Sequence, residues 1–261
     1  MKKVYVGRHP KGSSMYLVAS QIVANYGDIV ATKVEDLKGS DVICLSLEEM
    51  PKLLAAKKFI GIGAITMLLA GNWEEFDDWH RGALLQLTAT TKLVVHSPYS
   101  YQEVIKTART YLAPAKLKAV LQNLYLIPYG VSMEFTATSK GGSNWIVPYN
   151  RVNQSQKNIL LHIELSTLLA STRTVNQLFI VMQGWGTSKS FDLSIYDLVE
   201  QPPTREEYLQ LIANRGAFLS TSKYESFGIY YLELLCSGAV GVFMKAPWVD
   251  LLFAWVSTSC K

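Results

Sequence analysis

The chain has 261 residues, of which 49% are hydrophobic and 18% are charged. This composition supports a sizeable core and excludes a disordered or low-complexity chain. The formal net charge of +4 is only mildly basic, so it admits a polyanionic partner without requiring one. The length allows one large domain or two compact ones.

Neither the apolar runs nor the cysteines indicate a membrane-spanning or disulfide-linked protein. The longest apolar runs, residues 59–70 and 248–256, are shorter than the roughly 18 residues that span a bilayer. The three cysteines form no CxxC pair and no cluster with histidine: Cys44, Cys236 and Cys260. We therefore expect reduced thiols in a reducing compartment, and a cytoplasmic protein without a transmembrane segment.

The first half of the chain alternates predicted strands and helices. The predicted strands cover residues 3–7, 29–32, 41–45, 59–65, 92–96 and 124–127. The predicted helices cover residues 15–26 and 101–112, and the first has apolar residues at helical spacing. Residues 73–80 are interpreted as an irregular polar stretch. Such alternation is typical of a doubly wound parallel sheet.

A second series follows a Gly/Ser-rich segment at residues 139–144, which is predicted to be a linker or hairpin. The predicted strands cover residues 145–148, 176–182, 216–220 and 239–243. The predicted helices cover residues 157–171, 205–214 and 227–237. The sequence therefore predicts two α/β domains, residues 1–138 and 139–261.

The most informative stretch is residues 218–238, which predict a buried strand, a polar loop and an apolar helix. The helix is entered through Glu225, Ser226 and Gly228. Loops at the carboxyl ends of parallel strands bind ligands in such folds, and a helix N-terminus attracts phosphate. Glu233 lies within the apolar helix. A carboxylate there is costly to bury unless a ligand hydroxyl or a cation satisfies it, and the alternative is an exposed helix edge.

This stretch resembles the E-x7-E signature of GT-B-fold retaining glycosyltransferases, typically E-G-F-G followed by L-E-A-M-A-C-G. Glu225 and Glu233 have the seven intervening residues that the signature requires. The resemblance implies two Rossmann-like domains, with a C-terminal domain that looks short. It also implies that Glu225 contacts the donor sugar and Glu233 the ribose. Backbone amides of Ser226, Phe227 and Gly228 would meet the diphosphate.

Four further positions come from the same resemblance. Arg151 and Lys157 resemble two cations that neutralise the donor diphosphate in the family, although Asn150 replaces the usual glycine. Fixed positive charge would stabilise the leaving group as the glycosidic bond breaks. Gly184 resembles the glycine that ends a strand beside the nucleotide, and Gly12 weakly resembles the family's Gly-rich first loop. Without the resemblance, a surface Arg and Lys are usually solvated and a Gly-Ser turn is usually only a turn.

Three histidines are candidates by position alone, namely His9, His80 and His96. A histidine in a loop is more often structural than catalytic. The sequence contains no D-x-D signature that would bind a metal–diphosphate, so a required divalent metal is not indicated.

The resemblance thus implies a hexosyltransferase that needs no cofactor, uses a nucleotide diphosphate sugar, with a UDP-sugar expected, and retains the anomeric configuration. Two acceptor classes stay open. Residues 232–246 also resemble the matching stretch of bacteriophage DNA alpha-glucosyltransferases. A surface glycan or lipid-linked acceptor would instead bring apolar segments to a membrane face, as a peripheral contact. The alternatives are a non-catalytic nucleotide-binding module and a GT-B phosphorylase.

Overall fold

The structure is a computed structural model of the chain. It describes residues 2–7, 14–26, 29–45, 47–69, 73, 76–89, 91–128, 144–147, 155–172, 176–181, 194–200, 205–213, 215–225 and 228–259. The chain divides into two compact units. Unit one comprises Met1–Pro128 with Ala254–Lys261, and unit two comprises Tyr129–Phe253. The predicted boundary at residues 138/139 and most of the predicted linker lie outside the described residues.

Unit one is built on a parallel sheet of six described strands. They are β1 (Lys2–Tyr5), β2 (Ile29–Ala31), β3 (Asp41–Cys44), β4 (Ile65–Leu69), β5 (Lys92–Val95) and β6 (Leu124–Leu126). Their order across the sheet is β2-β1-β3-β4-β5-β6, and each neighbouring pair is parallel. Parallel strands need crossover connections, and here the crossovers include helices.

Helices cover both faces of this sheet. They are α1 (Ser14–Tyr26), α2 (Met50–Ile60), α3 (Asp78–Thr88), α4 (Pro98–Tyr111) and α5 (Pro114–Gln122). Adjacent residues of β1 belong to different core clusters, because side chains alternate between the faces of a strand. Tyr5 packs in the cluster that contains residues of α2 to α5, whereas Val4 packs in the cluster that contains Ala19 of α1.

Two sequence predictions in unit one are wrong. The predicted strand at residues 59–65 is instead the end of α2, a turn and the first residue of β4. Gly61 ends α2 in the left-handed conformation with φ of 67°, which a glycine adopts without steric cost. The predicted irregular stretch at residues 73–80 contains the start of α3, where the Asp77 side chain accepts a hydrogen bond from the backbone N–H of His80.

Unit two contains a second parallel sheet of five described strands. They are β7 (Asn144–Val147), β8 (Asn176–Val181), β9 (Asp197–Glu200), β10 (Ala217–Ser220) and β11 (Val240–Phe243). The helices are α6 (Ile159–Thr172), α7 (Arg205–Ala213), α8 (Ile229–Cys236) and α9 (Pro247–Ser259), whose last residues belong to unit one. The predicted α/β organisation with parallel sheets is therefore confirmed in both units.

The strand order of unit two is β11-β10-β7-β8-β9, which is the order of the first five strands of a Rossmann sheet. Strands β7, β8 and β9 follow one another across the sheet in chain order, and β10 lies on the other side of β7. The order of the strands thus reverses between β7 and β10. In open α/β sheets, ligands bind outside the carboxyl ends of the two strands at this point of reversal.

Candidate functional site

The candidate site lies at the carboxyl ends of β7 and β10, where the strand order reverses. The two strands pair directly, with Trp145 opposite Ala217 and Ile146 opposite Phe218. Beyond β7, the described chain resumes with a single 3-10 turn, Ser155–Lys157. The residues around 157 and residues 221–225 therefore lie at the same edge of the sheet.

An ion pair joins the two loops at this edge. The Lys157 ammonium donates a hydrogen bond to the Oε1 atom of the Glu225 carboxylate. Only 9% of Lys157 and 8% of Glu225 are exposed. Removing one partner would leave an uncompensated buried charge, which typically costs about 3–5 kcal/mol. The structure thus brings together two of the residues that the sequence predicted as parts of the site.

Hydrogen bonds to the backbone also hold the two loops together. The Thr221 hydroxyl donates to the carbonyl oxygen of Lys157 at 3.0 Å, and the Lys223 N–H donates to the carbonyl oxygen of Gln156 at 2.8 Å. Asn158 follows with φ of 53°, the one described non-glycine residue at positive φ. Such conformations cost energy and persist where surrounding contacts fix them. Residues 156–158 are therefore held against residues 221–223.

A buried tyrosine also contacts Glu225. The Tyr231 hydroxyl, on α8, lies 3.3 Å from Oε1 of Glu225 and 2.7 Å from Oγ of Ser222. The Trp248 indole N–H donates to the Ser222 carbonyl oxygen at 3.1 Å. The sequence reasoning missed Tyr231 because it treated α8 as an apolar helix, and it assigned no role to Ser222 or Trp248. The available signal was a tyrosine in a mainly aliphatic helix, since a buried hydroxyl needs a polar partner.

Helix α8 begins at Ile229, two residues after the predicted start at residue 227, and it carries Glu233. Gly228 has φ of 69°, and a Cβ atom at this position would lie 2.9 Å from the Tyr231 ring. Glu233 is only 2% exposed, so the exposed-edge alternative is wrong. Burial raises the pKa of the Cys236 thiol one turn later, and the negative charge of Glu233 raises it further. Glu233 is therefore a buried acidic group on the helix that leads away from the site.

Sequence reasoning did not consider the fourth histidine, His162, which contacts the penultimate residue of β10. His162, on α6, is buried, with Nε2 at 3.2 Å from the Leu219 carbonyl oxygen and Nδ1 at 2.9 Å from the Tyr196 hydroxyl. Because a carbonyl can only accept, Nε2 carries the proton and Nδ1 accepts from the tyrosine. Burial lowers the pKa of His162 to about 4 and raises the pKa of Tyr196 to about 12. His162 is thus a neutral bridge between α6 and β10.

The other histidine candidates have structural partners in unit one. His96 follows β5, and its Nδ1 lies 2.7 Å from the Ile127 carbonyl oxygen. Burial lowers the pKa of His96 to about 4. His80 is exposed on α3 and pairs with Asp77, the residue that caps the same helix. His9 lies outside the described residues.

Five predicted site residues also lie outside the described residues: Arg151, Ser226, Phe227, Gly184 and Gly12. Their roles stay predictions. In the part of the chain that the structure describes, no group of three or more His, Cys, Asp or Glu side chains is arranged to hold a metal ion. The helices of the same part include none that is long and apolar enough to cross a membrane.

Several solved structures share this fold. TarM is 16% identical with a TM-score of 0.60, and the match covers 82% of this chain but only 42% of TarM. A UDP-forming α,α-trehalose-phosphate synthase from Burkholderia xenovorans is 8% identical with a TM-score of 0.61, covering 93% of this chain and 83% of the synthase. WaaG, a glycosyltransferase involved in lipopolysaccharide biosynthesis, is 12% identical with a TM-score of 0.58. The match covers 97% of this chain and 84% of WaaG.

The chain spans less than half of the length of TarM. No protein-family model matches the sequence, and no curated protein matches it. At the identities of these structural matches, the similarity extends to the fold. The chain has the GT-B fold of these glycosyltransferases, with two Rossmann-like units.

Proposed function

We propose that the chain is a glycosyltransferase that moves a hexose from a nucleotide diphosphate sugar, with a UDP-sugar as the first candidate donor. The observation that carries the proposal is the buried ion pair between Lys157 and Glu225 at the carboxyl ends of β7 and β10. Ligands bind at this position in open α/β sheets, and the fold is shared with glycosyltransferases.

The proposed reaction breaks the bond between C1 of the sugar and the diphosphate oxygen, which leaves with the electron pair. Lys157 and Arg151 stabilise this charge, as fixed cations do for a developing anion. The ammonium of Lys157 is a charged multiple donor, which is the kind of group that binds a phosphate oxygen. Glu225 accepts from the sugar and Glu233 from the ribose, while the amides of residues 226–228 face the diphosphate.

The acceptor hydroxyl forms the new bond to C1 on the face from which the diphosphate leaves, and its proton passes to the departing diphosphate oxygen. The anomeric configuration is thereby retained. Gly184 and Gly12 are proposed to let the backbone approach the donor closely. The proposed enzyme is cytoplasmic and requires no metal cofactor.

A surface glycan or lipid-linked acceptor is the first acceptor class to test, because WaaG has the same fold and is described as involved in lipopolysaccharide biosynthesis. DNA is the second class. A gel-shift titration with duplex DNA at low and moderate salt separates them, since phosphate contacts make binding steeply salt-dependent. Absence of a shift at low salt removes DNA as the acceptor.

Nucleotide binding is the direct test of the proposal. The melting temperature of the full chain would be measured with UDP, GDP and ADP and with their sugars. A ligand at 100 times its Kd stabilises the folded state by about 2.7 kcal/mol. We expect one nucleotide series to raise the melting temperature of wild type and of Glu164→Gln, whose carboxyl is exposed on α6. Glu233→Gln should fold and lose this response, and Glu233→Ala should abolish transfer.

The reaction products distinguish the alternatives. Slow release of nucleotide diphosphate from the stabilising donor supports a transferase. Formation of sugar phosphate from a glycoside and inorganic phosphate would identify a phosphorylase instead. Binding without hydrolysis or transfer, across the panel of acceptors, would identify a nucleotide-binding module. Full transfer by Glu233→Ala would contradict the assigned site.

A further inference from the structure

We propose that Tyr231 is a positioning residue for Glu225, which it holds in the orientation that receives the donor sugar. The inference rests on the proposed function, since it assigns the supporting contact for the carboxylate placed there. Tyr231 does not itself touch the donor in this proposal. It acts through Oε1 of Glu225, and Ser222 and Trp248 hold it in place.

The two oxygens of the Glu225 carboxylate have different surroundings. Oε1 receives the Lys157 ammonium and the Tyr231 hydroxyl, the latter at 3.3 Å. Among the residues that the structure describes, none makes a hydrogen bond to Oε2. A carboxylate held through one oxygen by two donors has a fixed plane, and its other oxygen is available to accept from a sugar hydroxyl.

The Tyr231 ring is itself fixed by aromatic neighbours. It is 2% exposed and packs roughly parallel to the Phe218 ring on one side, with centroids 5.8 Å apart, and to the Trp248 ring, at 5.3 Å. The Phe243 ring meets it edge-on at 5.6 Å. A tyrosine has only two side-chain torsions, and this packing restrains both. Its hydroxyl is therefore held at a defined point relative to β10.

Ser222 sets the direction in which the Tyr231 hydroxyl donates. The two hydroxyl oxygens are 2.7 Å apart, and the ionised Glu225 carboxylate can only accept. Tyr231 therefore donates to Glu225, and Ser222 donates to Tyr231. The Trp248 indole fixes the Ser222 carbonyl oxygen. The result is a chain of donors that ends on Oε1 of Glu225.

With this arrangement, the Tyr231 hydroxyl should contribute to binding of the sugar and not to binding of the nucleotide. Removing its hydroxyl takes away one of two donors to Oε1, and leaves Lys157 and Glu233 unchanged. Since a hydrogen bond to a charged group is stronger than one between neutral groups, its loss should weaken sugar-dependent binding by roughly tenfold. Binding of the nucleotide alone should stay within about twofold of wild type.

The test is calorimetric titration of the full chain with UDP and UDP-glucose, and with the corresponding GDP and ADP pairs. We expect Tyr231→Phe to lower the preference for the sugar nucleotide over the free nucleotide by about tenfold. Ser222→Ala should lower it less. Tyr125→Phe removes the same hydroxyl from an exposed position on β6 in unit one, and should behave as wild type.

A double-mutant cycle shows whether Tyr231 acts through Glu225. Glu225→Gln should remove most of the preference for the sugar nucleotide, and adding Tyr231→Phe should change it no further, because the two residues share one interaction. Additive effects, equal losses for sugar nucleotide and free nucleotide, or an unchanged Tyr231→Phe preference would each overturn the inference alone. Failure of wild type to bind any nucleotide would overturn the proposed function and this inference with it.

Discussion

At the scale of single residues, the site depends on one contact between positions 68 apart in the sequence. The sequence predicted Lys157 for the diphosphate and Glu225 for the sugar, as separate roles. It did not predict their ion pair, because that contact follows from β7 and β10 being neighbours. Nothing local to residue 157 or residue 225 encodes that neighbourhood.

The ion pair predicts that a double variant can recover the free energy of unfolding without recovering the binding of a sugar nucleotide. Lys157→Met should lower the free energy of unfolding by about 3–5 kcal/mol, because it leaves the Glu225 charge buried. The double variant Lys157→Met/Glu225→Leu should recover most of that loss, since an apolar pair of similar volume replaces a buried ion pair well. Neither variant should bind a sugar nucleotide. Urea unfolding measures the stabilities, and a double variant no more stable than the single one would contradict the expectation.

The positive φ at Asn158 predicts that a glycine variant is more stable than an alanine variant at this position. Asn158→Gly should leave the unfolding free energy within a few tenths of a kcal/mol, because glycine adopts this backbone freely. Asn158→Ala should cost about 1 kcal/mol or more, since a Cβ atom disfavours the left-handed region and alanine lacks the local hydrogen bonds of asparagine. Chemical denaturation compares the two variants. Equal stability of both would show that the strain at this turn is absent in solution.

At the scale of elements, apolar runs predicted most strands but confused a helix end with a strand. The run from Phe59 onward resembled a strand, yet Phe59 is 88% exposed as part of α2. Periodicity over so short a run does not distinguish a helix end from a strand. The sequence signal for the helix end was Gly61, which ends α2. The strand β9 and the helices α2, α3, α5 and α9 were not predicted at all. Strand β9 has only four residues, so its periodicity carries little signal.

Two glycines with nearly the same backbone conformation provide a matched test of why a glycine precedes α8. Gly61 and Gly228 have φ of 67° and 69°, but only at Gly228 would a Cβ atom collide, with the Tyr231 ring at 2.9 Å. Gly61→Ala should cost about 1 kcal/mol of stability. Gly228→Ala should cost more and also reduce the preference for sugar nucleotide, because it displaces Tyr231. Thermal unfolding and nucleotide titration of both variants would check this, and equal effects would exclude the steric contribution.

At the scale of the whole molecule, the predicted fold class is confirmed, whereas the roles of the site residues stay predictions. The alternation of strands and helices predicts parallel sheets regardless of local errors, because such sheets need crossovers. Neither alternation nor motif predicts that each unit buries a neutral histidine. His96 follows β5 in unit one and His162 lies on α6 in unit two, and burial lowers the pKa of each to about 4.

These two histidines predict that the protein loses stability in mild acid. An unfolded histidine takes up a proton below about pH 6.5, whereas the folded groups resist until about pH 4. Unfolding therefore gains protons in this window, and the stability falls as pH drops from 6.5 to 4, by up to about 3 kcal/mol per histidine. Melting temperatures measured across this range should show the decline. His162→Gln should flatten it relative to His80→Gln, and parallel curves would contradict this origin.

The order of the strands in unit two has a consequence for synthesis on the ribosome. Strand β7 pairs with β8 on one side, but its other partner, β10, lies about 70 residues later in the chain. At roughly 5–20 residues per second, that edge of β7 stays unpaired for several seconds after it emerges. An unpaired strand edge is a template for incorrect pairing. We therefore expect nascent chains that stop before β10 to need chaperones, whereas the arrival of β10 pairs the open edge of β7 and brings Glu225 to Lys157.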